Sequence, residues 1–150
     1  MTRIQKSIPM AEPTIRSIHE TVLYASDLAR ARWFYVELLG LEPIDSGLDR
    51  LGFAMRIASG SVLLIFDPAQ SQLPGRAVPS HGALGSGHIA FAITREAYPD
   101  WISKLQSHSI EIEQEVLWPN GAKSIYVRDP AGNSVELEAG DLWRKTDAEK

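Results

Sequence analysis

Hydrophobic and polar positions change period repeatedly along this chain. Residues 15–24 alternate as a strand does, with Ile18 and Val22 on one face and His19 and Thr21 on the other. Asp27 then has the character of a helix N-cap. Leu28, Ala31, Phe34, Tyr35, Leu38 and Leu39 follow at helical spacing, and Gly40 supplies the stop. Three short strand-like runs come next, over 42–45, 51–57 and 61–66, so the first half reads β-α-β-β-β. A connection rich in Pro, Gly, Ser and Gln follows.

The pattern then starts again. In residues 88–93, His88, Ala90 and Ala92 alternate with Ile89, Phe91 and Ile93. A helix is expected from Pro99, a favoured first helical residue, to about Ser107. Strands are expected over 110–117, 122–128 and 134–139, the last two joined by the turn-forming run Asp129-Pro130-Ala131-Gly132-Asn133. The halves also align in letters: SIHETVLYASD lies against SGHIAFAITRE, and GSVLLIF against NSVELEA. That alignment pairs His19 with His88 and Leu63 with Glu136. The expected organisation is a flexible arm over 1–14, a first βαβββ module over 15–67, a connecting loop over 68–86, a second module over 87–143 and a polar tail over 144–150. The fold class is α+β, with two curved mixed sheets around a cavity.

Composition narrows the chemistry. A net charge of −4 and no basic stripe argue against nucleic acid as a partner. No run approaches the ~20 apolar residues that span a bilayer, and residues 1–14 hold no signal-peptide core. Cysteine is absent, which removes disulfides, thiolate metal sites and a cysteine nucleophile, and suits a reducing cytoplasm. Any metal must therefore be held by His, Asp or Glu.

Such a set is at hand. With the apolar strand faces packed on the helices, His19, His88 and Glu136 all turn into the cavity. Two imidazoles and a carboxylate on one side of a metal leave coordination positions open, which suits divalent Fe, Mn, Zn, Ni or Co. Water or substrate oxygens are expected to fill those positions, with the ion acting as a Lewis acid or orienting them.

The segments IHETVLYASDLARARWFYVELLGLEP, GHIAFAI and SIYVRDPAGNSVELE together resemble the vicinal oxygen chelate superfamily of glyoxalases, extradiol dioxygenases, fosfomycin-resistance thiol transferases and bleomycin-resistance proteins. The resemblance runs from Ile15 to Trp143. It implies metal ligation by His19, His88 and Glu136, catalytic and substrate contact by Tyr126, substrate contact by Thr21, and a homodimer. The usual fourth ligand position falls on Leu63, which implies that this is not a true glyoxalase. The resemblance also implies a small substrate that chelates the divalent metal through adjacent oxygens, and a dioxygenase-type or lyase/isomerase-type reaction is the leading expectation. The alternatives are a fosfomycin-type thiol transferase and a metal-free binding protein of the bleomycin-resistance kind.

Overall fold

The computed structural model describes residues 14–58 and 60–143. The expected tail, and all of the expected arm except Thr14, lie outside the described residues. The elements run β1 (Glu20–Tyr24), α1 (Leu28–Arg32, continuing as a π-helix over Trp33–Leu38), β2 (Glu42–Ile44), β3 (Gly52–Arg56), β4 (Val62–Phe66), a single turn α2 (Pro68–Ser71), β5 (His88–Ile93), α3 (Tyr98–Ser107), β6 (Gln114–Leu117), β7 (Lys123–Arg128) and β8 (Ser134–Ala139). This is the duplicated βαβββ pattern, in an α+β fold. No helix among the described residues is long and apolar enough to cross a membrane.

Each module forms one four-stranded mixed sheet, in the orders β1-β4-β3-β2 and β5-β8-β7-β6. In both, the opening strand pairs parallel with the closing strand and the rest is antiparallel. α1 begins where Asp27 accepts a hydrogen bond from the Arg30 amide at 3.0 Å, the N-cap expected from sequence. Its π continuation is marked by Leu39 N–H donating to Phe34 O at 2.9 Å, five residues back. The wider turn lets consecutive Phe34 and Tyr35 both bury together with Leu38.

The main core lies between the helices and one face of each sheet. Leu23, Phe53, Met55, Leu63 and Ile65 from the first sheet join Ile125, Val127, Val135, Leu137 and Ala139 from the second. Tyr35 donates a buried hydrogen bond of 2.8 Å to Asp129, tying the first helix to the β7–β8 turn. Gly87 enters β5 against β1, where a Cβ would lie 2.7 Å from the Leu23 side chain, so only glycine fits without a shift. The connecting loop folds back over the other face of the first sheet. There His81 Nδ1 meets Tyr24 Oη at 2.8 Å, and its ring lies 5.0 Å from Phe66.

Candidate metal centre

The second sheet gathers three of the residues singled out from sequence. Strand alternation places His88, Ala90 and Ala92 on one face of β5, while Ile89, Phe91 and Ile93 pack toward the core. Register then aligns Ala90 with Glu136 and Glu136 with Tyr126 across neighbouring strands, so all three side chains share the face turned away from the helices. His88 Nε2 lies 3.4 Å from Glu136 Oε2, and the Tyr126 ring stacks on His88 with centroids 6.3 Å apart. The imidazole is half exposed, whereas Glu136 is only 5% exposed. The Tyr126 phenol is pushed above its usual pKa, by burial first and by the Glu136 carboxylate second, so it stays protonated and able to donate.

The structure does not bring His19 or Thr21 to this face. His19 precedes β1, is exposed, and its carbonyl accepts from Val62 N–H at 3.0 Å. In the second module the carbonyl accepting at the same point, from Ser134 N–H at 2.9 Å, belongs to Gly87. His19 therefore corresponds to Gly87, and the residue corresponding to His88 is Glu20, which pairs with Val62 as His88 pairs with Ser134. The expected pairing of the halves is off by one residue. Because side chains alternate with a period of two, one residue reverses every face. His19 and Thr21 share the parity of buried Leu23 and face the helix side, although both lie at the exposed start of the strand. By the same shift Glu136 corresponds to Leu64, aligned with Val22, and Leu63 is a wholly buried core residue.

Sequence reasoning thus passed over Glu20. A signal was present: sliding the halves by one sets Leu23 and Ala25 against Phe91 and Ile93, matching the core-facing positions instead of the two histidines. Ser124 and Trp118 were also missed. Ser124 is wholly buried and donates to Glu136 Oε1 at 2.5 Å, and it accepts from Trp118 Nε1 at 2.8 Å.

The donor chemistry suits a divalent cation. The separation of 3.4 Å exceeds the roughly 2.7–2.9 Å of a charge-assisted hydrogen bond. It is the spacing of two ligands that each sit about 2.0–2.2 Å from one ion at a tetrahedral angle. Among the described residues no third His, Asp or Glu of the same chain joins the pair.

Comparison with known proteins agrees with this architecture. Residues 17–137 match the family described as Glyoxalase/Bleomycin resistance protein/Dioxygenase superfamily, and the chain belongs to it. A lactoylglutathione lyase from Agrobacterium tumefaciens is similar in structure, at 37% identity and a TM-score of 0.82, over 89% of this chain and 100% of that one. A glyoxalase/dioxygenase from Nostoc punctiforme (20% identity, TM-score 0.65, 90% of this chain and 98% of that one) shares the fold. So does the oxidase ChaP-H2, at 20% identity and a TM-score of 0.60, over 85% of this chain and 95% of that one.

Proposed function

We infer that this chain is a metal-dependent enzyme of the lyase/isomerase type, acting on a small molecule that presents two adjacent oxygens to a divalent ion. The observation that carries the reading is the His88–Glu136 pair, 3.4 Å apart on an open sheet face beside Tyr126. Similarity to the Agrobacterium lactoylglutathione lyase favours this reaction type over an oxidative one.

His88 and Glu136 would hold the ion, and when bound it supplies Lewis-acid stabilisation of charge on a coordinated oxygen. Tyr126 donates a hydrogen bond to a substrate oxygen, because its raised pKa keeps its proton in place. Glu20 supplies a carboxylate able to take a proton from carbon or to complete the ligand set. It does so from a second copy of the chain, laid across the exposed His88, Ala90 and Ala92 face, so the working unit is a homodimer. His19 and Thr21 have no part in this reading. The absence of cysteine suits work in the cytoplasm.

Metal analysis of the purified protein, with turnover measured before and after chelation, tests the reading. Bound divalent metal and chelator-sensitive activity support it. Ligand binding that chelators leave untouched would instead favour the sequestering role.

A further inference from the structure

The buried side of the same carboxylate carries a second layer of design. Glu136 sits on β8, and across the hairpin β7 presents Ser124 to it. The Ser124 hydroxyl is wholly buried, 2.5 Å from Glu136 Oε1 and 2.8 Å from Trp118 Nε1. The direction of this chain is fixed by chemistry. An indole N–H can only donate, so Ser124 accepts there, and its single proton goes to Glu136. Oε1 is thereby engaged on the buried side, and Oε2 is the oxygen that faces His88.

Trp118 is itself held in place. It opens the β6–β7 turn, with Trp118 N–H donating to Ala122 O and Gly121 N–H donating to Trp118 O, each at 2.9 Å. Gly121 takes the left-handed φ of +81° that this tight turn needs. Asn120 Nδ2 reaches the carbonyls of Asp141 and Leu142, both at 3.1 Å, fastening the turn to the segment after β8. The indole thus approaches Ser124 from a turn anchored at both ends.

We propose that Trp118 and Ser124 are positioning residues that orient Glu136 to bind metal through Oε2 alone. The proposal rests on the metal reading above. Ligand carboxylates are commonly steadied by such partners, whose removal typically weakens metal affinity by about 10–100-fold. A freed Glu136 would rotate between one-oxygen and two-oxygen binding, loosening the site without removing a ligand.

The test uses the full-length protein with Zn2+ or Co2+ as probe, read by competition with a chromophoric chelator and by the visible spectrum of the Co2+ form. Ser124→Ala and Trp118→Phe should each weaken metal affinity by about tenfold or more. Both should change the Co2+ spectrum, and Ser124→Thr, which keeps a hydroxyl, should restore affinity. Trp118→Phe keeps the aromatic ring and guards against loss of folding in the serine variant. Wild-type affinity and spectrum in Trp118→Phe and Ser124→Ala, with tight wild-type binding, would overturn the positioning role. Absence of binding by the wild-type protein would instead overturn the metal reading beneath it.

Discussion

Glu20 and His88 occupy equivalent positions in the two modules, each at the head of its opening strand and each paired in parallel register with the first residue of the closing strand. A carboxylate in one module therefore answers an imidazole in the other. Glu20→Ala is expected to weaken metal binding by about tenfold or more, as loss of a ligand or of its closest charged support does. His19→Ala should leave affinity within about twofold of wild type. Chelator competition on both variants decides between the two neighbours, and equal losses would contradict the register argument.

Tyr35 and Asp129 carry a prediction about stability. The Tyr35 hydroxyl donates to Asp129 Oδ2, which also accepts from Asn133 Nδ2 at 2.8 Å, while Asp129 Oδ1 takes the Ala131 and Asn133 amides. Removing one donor from a buried carboxylate that keeps its others should cost about 1–3 kcal/mol in Tyr35→Phe, with the lower end favoured. Urea unfolding measures it, and an unchanged midpoint would contradict this role.

Alkaline pH offers a separate check through Tyr98, which donates to Glu115 at 2.9 Å. Burial, followed by the hydrogen bond to Glu115 and its charge, pushes this phenol up from 10.0 to about 12. The folded state thus favours the protonated form. Its contribution is complete below about pH 10 and is lost as pH rises towards 12. Tyr98→Phe should be less stable than wild type at pH 8, with the gap closing between pH 10 and 12. A pH-independent gap in denaturant midpoints would contradict this.

Much of the architecture was legible in the letters. The ends of β5 and β8 match their expected ranges, because each is bounded by turn residues and alternates cleanly. The same alternation brought out His88 and Glu136 as cavity-facing residues, and the family resemblance added Tyr126. β1 was less legible because both of its faces are apolar. Leu23 enters the main core, while Val22 and Tyr24 pack with Phe66, Leu64 and Leu48 in a second cluster. With no polar face to mark the register, the coincidence of two histidines decided it wrongly. The pairing of Trp118 with Ser124 is set by a turn and a register, which spacing alone does not reveal.

The charges on the open face lead to an expectation about substrate. Glu136 and Glu138 lie there, and Arg128 is committed to Glu113 by contacts of 2.7 and 2.9 Å. Leu64, at the position corresponding to Glu136, offers neither ligand nor base. Small neutral hydroxycarbonyl compounds should therefore be turned over faster than the glutathione adduct of methylglyoxal, whose two carboxylates Glu138 would repel, the charge of Glu136 being offset by the ion it would hold. Steady-state rates with both substrates, in the presence of Zn2+, Ni2+ or Co2+, check the order. Robust turnover of the glutathione adduct would reverse it.

Glu136 is proposed to hold a metal. Elemental analysis of the protein purified from metal-supplemented medium, alongside Glu136→Ala, tests it most directly. About one divalent ion per pair of His88 and Glu136 donors is expected in the wild type, and little in the variant. Full occupancy in Glu136→Ala, or none in the wild type, would contradict it.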